Sequence, residues 1–323
     1  MKTSNPLLKK LKNYVANDTL SIFILLLILL CMFTVPRFAT PGNLMNVLTQ
    51  ISINAFISCG MTFVILSGGI DLSVGSVAAL ASIAGAALIK CFPDANLFLS
   101  IVVILGVAIV VGGICGSING FFISKMRVSP FIVTLAMMNV ARGLAYVFTD
   151  AKPIFGLPSS FSFIGIGRIG PVPVVVILMI IAIAISYVIL SKTCFGRYVY
   201  AIGSNNEVAK LCGINANRVR FYVYVLCGIL SALAGVIMAS KLQNGQATIA
   251  MGYELMAIAA VAMGGTSMAG GRGGMIQTIF GLIVIGVINN SLSLLGVSSY
   301  WQTVAMGAII VLAVVMDKNR KEV

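Results

Sequence analysis

The sequence predicts an all-α polytopic membrane protein of about ten transmembrane helices, with broken or re-entrant Gly-rich segments. Three observations carry that prediction. Of 323 residues, 59% are hydrophobic and 9% charged, whereas a soluble domain carries about 25% charged residues. A membrane-crossing helix needs about 20 apolar residues, and uncharged runs near that length recur along the chain. The polar residues are gathered in short interruptions between those runs. The same composition removes chemistries. There is no histidine and there are only eight carboxylates, which argues against metal sites, histidine-dependent triads and two-carboxylate hydrolases.

The spans follow in order. Residues 1–18 read as a basic cytoplasmic segment, with Lys2, Lys9, Lys10 and Lys12. The apolar run from Thr19 to Pro36 lacks the small residues of a cleavage site, and Leu30 stands before Cys31 where a lipoprotein box needs a small residue. It is therefore an uncleaved first helix. Further spans are predicted at about 49–67, 73–90, 97–123, 129–149, 171–191, 219–240, 253–265, 275–295 and 299–316. The 253–265 run is short and precedes a Gly-rich stretch, which suggests a broken or re-entrant segment. Gly273 to Met316 is uncharged over 44 residues, the length of a hairpin turning near Gly296-Val297-Ser298. Residues 19–316 thus form one transmembrane domain, with a hydrophilic loop at 192–220 and a basic tail at 317–323.

The net charge of +13 fits this topology. Basic residues punctuate apolar runs instead of clustering on a solvated face, which argues against nucleic acid as a partner. With ten spans and both termini cytoplasmic, 15 basic residues fall inside and six outside: Arg37, Lys90, Arg142, Lys152, Arg168 and Lys241. That is the positive-inside bias. Arg142, toward the outer end of its span, is expected to snorkel outward. The seven cysteines form no CxxC pair and read as small apolar residues. Gly112, Gly116 and Gly120 recur every fourth residue, Ala78, Ser82 and Ala86 do the same, and Gly228, Ala232 and Gly235 form a related stripe. Such stripes let helix backbones approach closely in lipid.

Four features interrupt the apolar background. The first is SGGIDLSVGS, residues 67–76. Asp71 lies either in a membrane-depth break or at a cytoplasmic helix junction, and Asp71 or Ser73 can cap the third span. Ser67, Asp71 and Ser73 are candidates for a gate or a solute path. The second is Glu254 at the head of an apolar run, where it meets the positive end of a helix dipole. Thr266 and Ser267 follow in GGTSMAGGRGG. Irregular backbone there is tolerated at membrane depth only when buried in protein or lining a cavity, so all three join the candidates. It is not a phosphate loop, since GxxxxGK[ST] is absent. The third is the hydrophilic stretch 195–220. Asn205 to Cys212 suits a short helix capped by Ser204 or Asn205 and stopped by Gly213, either docking a partner or lying solvated. The fourth is a set of amides inside spans, Asn54, Asn119, Asn139, Asn289 and Asn290, which bond between helices or line a route for a polar solute. Asn54 and Asn139 are taken as pathway candidates.

Together SGGIDLSVGS, NGFFISKMRVSPFIVTLAMMNVARGLAY, FGRYVYAIGSNNEVAKLCGI, GYELMAIAAVAMGGTSMAGGRGG and NNSLSLLGVSSYWQ resemble the ribose-type permeases of bacterial ABC sugar importers, from about residue 20 to 317. The resemblance implies a ten-helix permease of the bacterial inner membrane that forms a homodimer. Its partners would be a cytoplasmic ATP-binding cassette ATPase and an extracytoplasmic sugar-binding protein. ATP and magnesium would belong to the ATPase, leaving this chain a transport subunit with no cofactor and no catalytic site. Gly203, Asn206, Glu207, Ala209 and Gly213 match the family's ATPase-coupling segment. The cargo implied is ribose or a similar monosaccharide. The competing class is an ion-coupled secondary transporter of a small polar solute, with Asp71 and Glu254 as coupling acids. A membrane-embedded enzyme would need a catalytic cluster that the sequence lacks.

Overall fold

The computed structural model describes residues 19–319. The basic segment 1–18 and the end of the tail, 320–323, lie outside the described residues. Helices occupy all ten predicted spans: α1 (Thr19–Thr34), α2 (Pro41–Leu66), α3 (Val74–Lys90), α4 (Leu97–Ser124), α5 (Pro130–Thr149), α7 (Val174–Lys192), α10 (Ala216–Leu242), α11 (Tyr253–Met263), α12 (Met275–Leu294) and α13 (Ser299–Asn319). Between them lie α6 (Ser159–Ile166), α8 (Cys194–Ser204) and α9 (Asn206–Leu211). By length and composition α2, α4, α5, α7, α10 and α12 can each cross a membrane, while α3 and α11 are shorter apolar helices. This is the all-α polytopic architecture that the composition predicts.

Boundaries move where local chemistry outweighs hydropathy. The second span begins eight residues before its predicted start, because Thr40 accepts a bond from the Asn43 amide and Pro41 fills the first turn. The sixth begins at Val174 because a hairpin precedes it, β1 (Arg168–Ile169) against β2 (Val172–Pro173), with Arg168 opposite Pro173. The turn between α12 and α13 falls at 295–298, as expected.

Helix α10 is the hub, packing against α2, α3, α4 and α6. The small-residue stripes make those contacts. Along the antiparallel α4–α10 pair, Gly112 meets Gly228, Gly116 meets Tyr224 and Val225, and Gly120 meets Phe221. On the α3 side, Gly235 lies on the backbone of Ala78. Backbone thus rests on backbone where lipid supplies no hydrophobic drive. A π-helical segment at Ala108–Gly112 shifts the register of α4 as it reaches this contact. α2 is enclosed, with 83% of its apolar stretch buried, whereas α5, at 22%, lies at the periphery.

Two non-helical segments break the bundle at depth. One face, marked by α8 and α9, collects the ends of α2, α4 and α7 and the beginnings of α5, α10 and α12. From that face residues 67–73 turn back into the protein, and α3 begins only after Asp71 has reached Cys227, about 16 Å along α10. From the opposite face residues 243–252 descend along α3. Gly245 pairs with Ile154, Ala247 packs with Ile83 and Ala145, and the Ala250 carbonyl and Glu254 carboxylate lie on Gly75. The first turns of α3 and α11 therefore meet deep in the bundle. Asp71 is in a membrane-depth break, one of the two positions its sequence context allows.

The descending segment corrects the expectation for Arg142. It sits about 18 Å along α5 and does not snorkel. Its guanidinium donates to the carbonyls of Ala247 and Ile249. Non-helical carbonyls buried at that depth need donors, and the arginine supplies them. Lys241 similarly turns inward, donating to the Thr49 carbonyl at 3.1 Å.

Candidate functional site

Asp71 is the centre of a closed polar knot. Its side chain is buried, and Oδ1 accepts from the Ser73 amide at 2.9 Å and the Ser73 hydroxyl at 2.6 Å. The Asn119 amide of α4 donates to Ser73 Oγ at 3.0 Å, and the Asn119 side chain and the Cys227 thiol of α10 also reach the carboxyl. Among the described residues no cation pairs with it. Tyr224, also buried, donates to the Ile70 carbonyl. The knot ties the start of α3 to α4 and α10, and leaves Asn119 Oδ1 buried without a partner. Ser67 is likewise turned inward, donating to the Val64 carbonyl at 2.8 Å.

The second break is equally local. Glu254 stands in the first turn of α11 and accepts from the Gly252 amide at 3.3 Å. Thr266 is buried and accepts from the Gly274 amide at 3.2 Å, while the Ser267 hydroxyl accepts from Ala269. These bonds fold residues 264–274 into a compact irregular turn.

The 195–220 stretch carries more structure than predicted. Its first half is α8, a helix capped by Thr193 that buries Gly196, Val199 and Ile202. Its second half is the predicted short helix, α9. Asn205 Oδ1 accepts from the Glu207 and Val208 amides at 3.0 and 3.1 Å, and Gly213 at φ 79° ends it. Ala209 is buried against the body, so it anchors α9, while Val208 and Leu211 project outward at 53% and 88% exposure. Glu207 pairs with Lys210 at 2.7 Å, and that hydrogen bond and charge hold its carboxyl below the usual carboxylate range.

The end of α8 touches both irregular segments. Gly203 lies on the Leu66 carbonyl and the Gly271 amide, and a side chain there would collide with both. The Gly271 amide itself donates to Leu66 at 3.0 Å, and the Tyr200 hydroxyl donates to the Gly273 carbonyl at 2.8 Å. Beside this junction a cleft of about 430 Å³ runs from α9 past Arg127, Arg220 and Asn206 to Ser67, Gly69 and Tyr224. Three basic side chains, Arg127, Lys210 and Arg220, face one acid, Glu207, in its lining.

The amides separate by partner. Asn290 exchanges hydrogen bonds of 2.8 and 3.0 Å with Asn43, joining α12 to α2. Asn119 belongs to the Asp71 knot. Asn139 lies on the exposed face of α5, apart from the other candidates, and donates to its own helix at Leu135. Asn54 and Asn289 are buried, and the Oδ1 atoms of both reach no partner. Tyr200, Tyr224 and Cys227 escaped the sequence reading. They sit in apolar or loop sequence with nothing local to mark them.

The family model described as "Branched-chain amino acid transport system / permease component" matches residues 43–314. The ribose import permease protein of Bacillus subtilis is 46% identical over 303 residues, 93% of this chain and 92% of the relative. The Escherichia coli ribose import permease is 42% identical, covering 93% of each chain. The L-arabinose transport system permease of the same organism is 36% identical over 92% of this chain and 88% of its own length. No solved structure gives a significant match.

Proposed function

The chain belongs to the branched-chain amino acid transport system / permease component family, and from that membership we propose that it is the membrane-spanning permease of an ABC importer whose cargo is ribose or a closely similar monosaccharide. The observation that carries the reading is identity of 42–46% to ribose import permeases across more than nine-tenths of the chain. The family's description mentions amino acids, but the arabinose and galactoside permeases are also relatives, at 36% and 34% identity. A sugar is the common thread.

Mechanistically, a sugar-loaded binding protein docks on the α6 face, and a cytoplasmic ATP-binding cassette ATPase docks on α9. Two copies of the permease form the working unit in the inner membrane, with both termini cytoplasmic. The basic residues support that orientation: Lys125, Arg127, Lys192, Arg197, Lys210, Arg218, Arg220 and Arg272 border the α8–α9 face. ATP and magnesium sit on the ATPase, and this chain converts the closure of its partner into helix motion. The route is short. Movement of α9 is carried by α8 to Gly203, and from there to the ends of α2 and of the 264–274 turn. These segments adjoin the two discontinuous helices, α3 and α11, so both breaks receive the same push.

The test is reconstitution. Purified alone, the permease is expected to hydrolyse no ATP above a lipid blank. In proteoliposomes with its ATPase and a ribose-loaded binding protein, uptake of radiolabelled ribose should follow ATP. Uptake that tracks an ion gradient without ATP would overturn the reading in favour of a secondary transporter.

The Asp71 knot serves as gate architecture instead of a sugar contact. Asp71→Ala is expected to lower the melting temperature in detergent, because it strands the Ser73 amide and hydroxyl, and a buried group left unsatisfied costs about 1–3 kcal/mol. Asp71→Asn keeps an acceptor oxygen and should lose less. Scanning fluorimetry of the two variants decides the matter: full stability of Asp71→Ala with transport abolished would make the carboxylate a moving part.

A further inference from the structure

A second polar space lies away from the cleft, enclosed by α2, α11 and α12. It is a pocket of about 90 Å³, lined by Asn54, Asn289, Leu282 and Ile285, with Gln50 and Tyr253 also in its wall. Asn54 is 3% exposed and Asn289 9%, and their Oδ1 atoms reach no hydrogen-bond donor. Buried amides are almost always paired, and an unpaired one weakens the fold that keeps it. The contrast with Asn290 is direct. The neighbouring residue on the same helix is fully matched to Asn43, and what sets Asn54 and Asn289 apart from Asn119, whose Oδ1 is also unpartnered, is that the two line one pocket.

Position points the same way. Asn54 is about 18 Å from the α8–α9 end of α2 and Asn289 about 21 Å along α12, in a hydrocarbon layer about 30 Å thick. Tyr253 is the first residue of α11, the helix that starts at depth after the descending segment. The pocket thus lies in the interior of the membrane beside a helix break, where transport proteins place solute sites. No charged side chain lines it. A lining that mixes carboxamides and a phenol with Ile51, Met256, Leu282 and Ile285 matches a neutral polyhydroxyl ring with a C–H face. It does not match an amino acid, whose two charges would go unpaired.

We propose that Asn54 and Asn289 are the sugar-contacting residues of the translocation path, closed down in this conformation. This rests on the importer reading above. At about 30 Å³ for each water, the pocket has room for roughly three waters and not for a monosaccharide. A shift of α11, held at both ends by irregular segments, opens it when the ATPase acts. Contacts limited to two amides keep affinity low, as a solute that must also leave requires.

The experiment is ribose uptake by the reconstituted importer carrying Asn54→Leu, Asn289→Leu or both, beside melting temperatures of the same preparations. Uptake is expected to fall about fivefold in each single variant and further in the double, while the melting temperature holds or rises because no hydrogen bond to the Oδ1 atoms is lost. Uptake that stays at the level of the unaltered protein overturns the proposal, as does a fall in uptake accompanied by a matching fall in melting temperature. Asn54→Ser and Asn289→Ser, which keep a hydroxyl in smaller volume, should recover part of the rate, and no recovery counts against a hydrogen-bonding role. Arabinose, galactose and leucine run in parallel separate the two readings. If the unaltered importer carries one of these and not ribose, the ribose assignment fails, and the amide variants are then judged on the cargo that moves.

Discussion

Gly116→Val should prevent the permease from assembling a stable bundle. A Cβ at Gly116 would fall on the Tyr224 carbonyl and lie 2.7 Å from the Val225 Cα. Those are main-chain atoms of α10, so no rotamer change relieves the contact. Helix α4 would have to move away, and the loss would spread to Gly112 against Gly228, one turn on. Overpacking against side chains costs about 1–3 kcal/mol, occasionally more. Against backbone, in a bundle held by close approach, the upper end or beyond is expected. The control is Gly113→Val on the same helix, where an added Cβ meets nothing within 4 Å. Fluorescence-detected size-exclusion chromatography should show a monodisperse peak for Gly113→Val and aggregate for Gly116→Val. Equal profiles would mean that the α4–α10 contact is dispensable.

Those two glycines are three residues apart in a run that reads GGICGSING, and the contrast between them marks how far sequence carries. The repeat of small residues at every fourth position was visible, and so was its meaning as a contact face. Which helix it met was not, because α10 carries its own stripe among apolar residues that look the same all round. The spans were legible for the same reason: apolar runs of membrane length are hard to mistake. The descending segment 243–252 was not, since QNGQATIAMG has neither charge nor period, and its depth is set by Arg142 and Gly75 on other helices. Helix α8 was hidden by the charged loop around it. Asn54 and Asn139 looked equivalent in sequence, yet one faces a pocket and the other the outside of the bundle. Only tertiary packing separates them. The short helix α9, by contrast, was fully written in its caps, Asn205 and Gly213.

Glu207→Arg should uncouple the importer without harming the permease. The Glu207 side chain is 76% exposed and its ion pair is with Lys210, a solvent-screened surface pair of little consequence for stability, so folding should be untouched. At a docked ATPase surface the change matters far more. On the proposed docking of the ATPase at α9, the variant sets a guanidinium beside Lys210 and the outward-facing Leu211, and like-charge juxtaposition at an interface costs several kcal/mol. Tenfold in an equilibrium is about 1.4 kcal/mol, so ribose uptake should fall by about tenfold or more. The melting temperature of the isolated permease should stay within a degree or two. ATP hydrolysis measured in the same vesicles separates two ways of failing. If the ATPase no longer binds, hydrolysis stimulated by the binding protein disappears with uptake. If it binds but α9 transmits nothing, hydrolysis continues and uptake alone is lost. Unchanged uptake and unchanged assembly would remove α9 from the coupling path. The route through Gly203 would then have to begin at another surface, and the exposed side of α8 next to Tyr198, itself 43% exposed, is where the search would move.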